Sequence, residues 1–330
     1  MKVTMLEVAK QANVSKSTVS QYINKRYEYM SPDTRKRIEQ AIEELDYVPN
    51  SIAKSLKQKK TKTIGVIVAN ILHEFSTEII RSVGNECDKN EYHIFVCNAD
   101  DDPKKERGYI DNLLARQVDG LIIIPTDGNG TYYSDLYKRK VPIVFLDRKT
   151  TTTSYPTIVL DNEETARLAV ERIVHEGKKK VAVVGTSLDK YISPRIERIE
   201  GYKKALKHYG LKSEPSWVIA EERLKIQMEL IKLWDSPGQK PDSFFAINDI
   251  ALIELLYFVK KLKADVQEQL TIVAVDNSPF LDILQSKISI IHQPTRLMGV
   301  SAVELLMQMI NTDSIEIEQP LKKFTPTISS

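Results

Sequence analysis

The sequence predicts an all-α helix-turn-helix head, a short hinge helix, and a larger α/β body built as two lobes. Three observations carry this. Residues 3–24 read as two short helices on either side of a tight turn, and a third amphipathic helix follows from Ser31. From Lys62 onward, short continuous apolar runs alternate with helical stretches, the pattern of parallel sheets covered on both faces. There are ten such runs, more than one sheet of this kind needs, and 330 residues exceed one compact core.

The head begins with Thr4, placed to cap a helix, and Glu7 three residues later completes a capping box. Leu6, Val8, Ala9 and Ala12 are expected to form its apolar face. Asn13 stands where the chain must reverse, and Asn tolerates the left-handed backbone conformation. Ser15 caps the second helix, whose Val14, Val19 and Ile23 pack inward. Lys16, Ser17, Thr18, Ser20 and Gln21 are left for solvent or a ligand. Short hydroxyls, a Lys and a Gln near a helix N-terminus suit phosphate anchoring and base-edge reading in a DNA major groove. Ser31-Pro32 opens the third helix, with Ile38, Ala41, Ile42 and Leu45 as its buried stripe. Residues 51–62 are basic and too short to hold a helix alone, so a segment that orders on DNA is expected there.

Composition agrees with this division. Residues 1–62 hold 13 Lys/Arg against 7 Asp/Glu, whereas the remainder holds 34 against 38. A basic head on a mildly acidic body points the head at a polyanion, although a merely solvated surface would also be charged. There is no apolar run of 18 residues, so no membrane span is expected. The polar N-terminus enters a helix at once, unlike a signal peptide. Two cysteines, Cys87 and Cys97, are too few for a disulfide framework, and a cytoplasmic setting is expected.

With these residues in view, the chain resembles the LacI/GalR (lactose/galactose repressor) family of transcriptional regulators. The resemblance rests on Val8-Ala9, Val14-Ser15, Thr18-Val19-Ser20, Tyr47-Val48-Pro49-Asn50, Ala53 and Leu56, and extends over nearly the whole chain. It implies a helix-turn-helix domain over 1–48, a hinge over 49–62, and a periplasmic-binding-protein-like (type I) effector-binding and dimerisation domain over 63–330. The expected lobes are 63–161 with 292–319, and 162–291 with 320–330, the last crossing falling near Gln319-Pro320. The implied partner is palindromic operator DNA, contacted by Thr4, Ser15, Lys16, Ser17, Thr18, Ser20, Gln21, Asn24, Asn50, Ala53, Leu56 and Lys57. Leu56 would wedge into the minor groove, where unstacking energy is exchanged for a bent, better-contacted duplex. Gln21 departs from the Arg common in the family. Arg suits guanine and Gln suits adenine, so the usual half-site is not expected unchanged.

In open α/β sheets a ligand sits beyond the carboxyl ends of the strands, and two lobes place it in the cleft between them. Thr126, Asp147, Asn248-Asp249, Asp276-Asn277 and Gln293 stand at strand ends, where Asp and Asn also commonly cap the next helix. The resemblance assigns sugar-contacting roles to Asp147, Arg198, Asn248, Asp276 and Gln293, and an aromatic pocket wall to Phe75. Ser76 replaces the second aromatic of nucleobase-binding members, which favours a smaller hydroxylated ligand. His73 is a further polar candidate. Arg195 can hold a carboxylate by a charge-assisted fork, or pair with a surface Glu. Lys16–Tyr29, Ala69-Asn70-Ile71-Leu72-His73 and the segment Cys97–Pro103 resemble the subgroup containing the ketodeoxygluconate repressor.

Catalytic signatures are absent. His73, His93, His175, His208 and His292 lack metal-ligand spacing, Gly128-Asn129-Gly130 reads as a loop, and neither a P-loop nor a nucleophile elbow occurs. The expected function is therefore not enzymatic and needs no cofactor or metal. It is a homodimeric, operator-binding repressor of carbohydrate catabolic genes, released by a sugar or sugar acid such as 2-keto-3-deoxygluconate. The segment 77–89 and the helix after Thr295 are its expected interface elements. The alternative is a catabolite-control regulator whose body binds a phosphorylated carrier protein. A solute-binding protein without DNA fits the head poorly.

Overall fold

The computed structural model describes residues 3–48, 60–150, 154–238, 240–276 and 288–329. Two compact units divide after Thr61. In the head, α1 (Met5–Gln11), α2 (Lys16–Ile23) and α3 (Pro32–Glu44) enclose a small core of Val8, Ala9, Ala12, Val19, Ile38, Ala41 and Tyr47. Glu7 accepts from the Thr4 amide at 2.6 Å and from its hydroxyl at 2.8 Å, which holds its carboxyl below the usual range. Asn13 turns at φ +51°, and the Ser15 and Ser31 hydroxyls accept from the amides of Thr18 and Thr34 at 3.1 and 3.2 Å. Leu6 departs from expectation: it is 51 % exposed. The 3.6-residue period runs through Met5, Val8, Ala9 and Ala12, and Met5 takes the inward place.

The body holds two six-stranded sheets. The first lobe's elements are β1 (Thr63–Val68), α4 (Glu74–Lys89), β2 (His93–Asn98), α5 (Pro103–Ala115), β3 (Gly120–Ile123), α6 (Gly130–Lys138), β4 (Ile143–Leu146) and β5 (Thr157–Leu160). The second lobe follows with α7 (Asn162–His175), β6 (Val181–Thr186), α8 (Ser193–His208), β7 (Val218–Glu221), α9 (Arg223–Asp235), β8 (Ser243–Ala246), α10 (Asp249–Val259), α11 (Ala264–Gln269), β9 (Thr271–Val275) and β10 (Ile288–His292). The chain then returns through α12 (Thr295–Thr312) and β11 (Leu321–Phe324), and ends on β12 (Thr327–Ser329). Strand orders are β11-β5-β4-β3-β1-β2 and β12-β10-β9-β8-β6-β7, all parallel except β12 against β10.

The continuous apolar strands are buried because helices cover both faces, as in any parallel sheet. One expectation is corrected. The chain crosses for the last time after Phe324 rather than at Gln319-Pro320. Leu321–Phe324 pairs in parallel with β5, and Thr157 donates to the Pro320 carbonyl at 2.6 Å. The helix after Thr295 buries one face in its own lobe and leaves Leu297 exposed. Met298, Ala302, Val303, Leu306 and Met309 are buried in the first-lobe core, and Gly299 lets α12 close onto Ser82 of α4.

Candidate functional site

Lys16, Ser17, Ser20, Gln21 and Asn24 recur at one-, three- and four-residue steps along α2 and share one side of it. Lys16, Ser17, Gln21 and Asn24 are exposed, and Ser20 is half-buried. Ser15 and Thr18 are engaged in the cap, where their hydroxyls lie 2.8 Å apart, and Thr4 is engaged with Glu7. Asn24 donates to the Ser20 carbonyl at 2.7 Å. Tyr29, which the sequence reading passed over, is 92 % exposed beside exposed Lys25 and Arg26. Asn50, Ala53, Leu56 and Lys57 lie outside the described residues, as does Asn277.

In the body, a cleft opens between the carboxyl ends of the two sheets. Its walls include His73, Phe75, Ser76, Asp147, Arg195, Arg198, Asn248, Asp276 and Gln293. Nine of the ten effector candidates thus converge from six segments of chain. Thr126 does not reach it. Ile124, the residue after β3, lines the cleft, and beyond it the Thr126 amide donates to Glu106 Oε2 at 2.6 Å. Glu106, fully buried, also accepts from the Tyr133 hydroxyl and from Asn129 Nδ2, forming a structural node behind the wall.

Asp147 and Asp276 occupy equivalent places, one residue beyond β4 and β9, each the third strand of its sheet. Both adopt the left-handed conformation, at φ +68° and +69°. Their amides bond the neighbouring strands, to the carbonyls of Ile158 and Ile291. A strained backbone at two matching pocket positions marks a constrained site. Burial pushes the Asp276 carboxyl up to about 6, helped by Asp249 and Asp147 and opposed by Arg198 and Gln293. Burial raises Asp147 too, against the attraction of Arg148 and Arg198. Gln293 Nε2 donates to Asp276 at 2.7 Å, while its Oε1 is buried without a hydrogen-bond partner among the described residues.

Arg198, 4 % exposed, is fixed by Asn162 Oδ1 at 2.9 Å and the Ile247 carbonyl at 2.6 Å. Arg195 does not pair with a glutamate: it donates to the Ser187 carbonyl at 3.0 Å. Asn248 fulfils the capping role as well as lining the cleft. Its Oδ1 accepts from the Ala251 amide and its Nδ2 donates to Thr186. The sequence reading missed Ile124, Arg148, Ile192 and Pro194.

Polar contacts bridge the two lobes beside the cleft. His73 Nδ1 lies 2.7 Å from Asp249 Oδ1, and the Glu74 amide donates to Oδ2 of the same carboxylate at 3.1 Å. Burial raises Asp249, but His73 and the amides of Glu74 and Ile250 together outweigh it and hold the carboxyl low. Lys149 Nζ meets Glu197 at 2.6 Å, and Lys190 Nζ meets the Asp101 carbonyl at 2.8 Å.

A surface helix-turn-helix face and a polar interlobe cleft define a regulator with a small-molecule body, and the comparisons give its family. The description "Bacterial regulatory proteins, lacI family" matches residues 4–50. "Periplasmic binding proteins and sugar binding domain of LacI family" matches residues 61–324. The chain belongs to the LacI family of DNA-binding transcriptional regulators. It is 38 % identical to a probable HTH-type transcriptional regulator, EndR, of Paenibacillus polymyxa, over 97 % of this chain and 94 % of that one. Identity to the HTH-type transcriptional regulator KdgR of Bacillus subtilis is 30 %, over 96 % and 95 %. The fold matches a Lac repressor dimer bound to operator and the anti-inducer ONPF with a TM-score of 0.84, covering all of this chain and 98 % of that one at 23 % identity. The relatives are regulators, not enzymes, and so is this chain.

Proposed function

We propose that the chain is a cytoplasmic homodimeric repressor of carbohydrate catabolic genes, released from a palindromic operator when a sugar or sugar acid enters the cleft. 2-Keto-3-deoxygluconate is the leading candidate. The observation that carries this is the convergence of nine anticipated residues on one cleft in a chain with a LacI-type head. Aspartates beside a half-enclosed aromatic wall suit hydroxyl recognition, and the arginines suit a carboxylate. Lys16, Ser17, Ser20, Gln21 and Asn24 are the proposed base and phosphate contacts. Asn50, Ala53, Leu56 and Lys57 are their proposed continuation in the hinge.

A two-fold operator calls for a two-fold protein. Exposed apolar side chains supply surfaces for it: Leu72, Phe95 and Val96 on the first lobe, and Leu224, Met228, Ile231 and Tyr257 on the second. Effector binding is proposed to favour one relative placement of the lobes, and that preference alone is what it can transmit to the operator.

Fluorescence anisotropy on the protein's own promoter DNA at fixed salt tests this reading, because phosphate contacts make affinity steeply salt-dependent. Release by a sugar or sugar acid is the expected result. Tight DNA binding that no small ligand alters would refute the effector role, and no specific DNA binding would refute the whole.

A further inference from the structure

The cleft contains a cation to which no role has yet been given. Arg148 follows Asp147 at the end of β4 and is 6 % exposed. Its Nη1 is anchored by Asp101 Oδ1 at 2.7 Å and by the Pro125 carbonyl at 3.4 Å. Its Nε is buried and has no hydrogen-bond partner among the described residues. The carboxylate of Asp147 stands 3.9 Å from that nitrogen, beyond hydrogen-bond reach. Arg195 lines the same cleft from the first turn of α8. Its guanidinium carries five N–H donors, and one carbonyl, that of Ser187, accepts from it among the described residues. Burial and then repulsion from Arg148 push its pKa down to about 10. Two guanidinium groups therefore repel one another across a cavity, and the buried Nε of Arg148 lacks an acceptor among the described residues.

Buried donors are rarely left unmet, and planar guanidinium forks match a carboxylate. The unmet acceptor in the same cleft, Gln293 Oε1, calls for a donor such as a hydroxyl. We propose that Arg148 and Arg195 form a carboxylate subsite, so that the effector is a polyhydroxylated monocarboxylate and Arg148 selects it over neutral sugars. This rests on the reading of the cleft as the effector site. A monoanion fits better than a phosphate ester, because Asp147 and Asp276 line the same cavity and would repel a dianion.

Isothermal titration of the full-length protein with matched ligands tests the subsite. The pairs are D-gluconate with D-glucitol and D-galacturonate with D-galactose, alongside 2-keto-3-deoxygluconate and D-glucose 6-phosphate. At least one acid binds, and any neutral partner binds about 10-fold more weakly or worse. Arg148→Gln and Arg195→Gln each weaken the acid about 10- to 100-fold and erase the preference, whereas Arg148→Lys recovers part of it. Arg195→Gln disturbs a single carbonyl contact, so it carries the test if Arg148→Gln melts early through loss of the Asp101 pair. A neutral sugar binding as tightly as its acid, a phosphate ester binding tighter than every acid, or no acid binding at about 10 mM would overturn the proposal. Operator binding by the wild-type protein without ligand is measured on the same preparation. Its failure defeats the regulator reading, whereas its success beside any overturning result defeats the subsite alone.

Discussion

Replacing Asp276 by Asn is expected to stabilise the ligand-free protein while weakening its effector response. The change is nearly isosteric. Asn tolerates the φ of +69°, and its amide oxygen can still accept from Gln293 Nε2, now at 2.7 Å. What disappears is the charge. Burial, with Asp249 and Asp147 adding to it, pushes this carboxyl from 3.8 to about 6. Between those values the folded chain binds more protons than the unfolded one, so stability falls as pH rises through the window and the penalty is complete above it. At ~1.4 kcal/mol per tenfold change in proton affinity, the penalty at neutral pH is about 3 kcal/mol. At pH 4.5 it shrinks to about 1 kcal/mol, because the carboxyl is then largely protonated in the fold. Urea unfolding followed by Trp217 and Trp234, both packed in the second lobe that carries Asp276, reads the difference. A gain of up to about 3 kcal/mol at pH 7.5 is expected, with a rise in Tm of roughly 5–10 °C. Effector affinity should fall about 10- to 100-fold through loss of an ionised acceptor. Destabilisation at pH 7.5, or a gain that does not shrink on acidification, would refute the reasoning.

Three further outcomes follow from the same structure. Asp249→Asn leaves one acceptor oxygen for three donors, His73 Nδ1 and the amides of Glu74 and Ile250. Small-angle scattering should show a more open body, and effector affinity should drop about tenfold or more. Because the Asp249 carboxyl is held below 3.8, the wild-type bridge should persist on acidification until the pH falls below that value. Gly299→Ala sets a methyl 2.5 Å from Ser82 Oγ and 2.6 Å from its Cβ, so calorimetry should register a loss of about 1–3 kcal/mol, part of which Ser82→Gly returns. In selection from a randomised operator pool, Gln21→Arg should exchange adenine for guanine at one position of each half-site, a discrimination of about 1–3 kcal/mol.

The head was legible because its signals are local. A cap, a left-handed Asn and a second cap fix three turns within a few residues of chain. Leu6 was misplaced because Met5 and Leu6 are adjacent and only helical phase decides between them. In the body, apolar runs marked ten strands, whereas the segment of α9 carries a mixed signal. Leu224, Ile226, Met228 and Leu230 alternate with polar residues as in a strand, whereas the helix buries Ile226 and Leu230, four apart. The Gly128-Asn129-Gly130 loop leads into α6, which buries Tyr133 and Leu136. Strand-end position predicted the cleft aspartates well, since two-lobed α/β topology decides where strand ends meet. It failed for Thr126 and missed Arg148. Those outcomes depend on which way a side chain leaves a turn, and on partners such as Glu106 and Asp101 some twenty to fifty residues away.

The interlobe bridges bear on how strongly a ligand could control this protein. An effector's apparent affinity scales with the fraction of molecules already in the arrangement it prefers, and its power to switch scales with the fraction that is not. His73–Asp249 and Lys149–Glu197 join the lobes through the protein's own side chains, and the first pair is well shielded from solvent. They shift the balance toward sensitivity at the expense of range. On the proposed mechanism, loosening the buried pair would make the protein respond to higher effector concentrations but over a wider span of operator occupancy. The half-buried Lys149–Glu197 pair, more open to solvent and salt than the first, would change both quantities less.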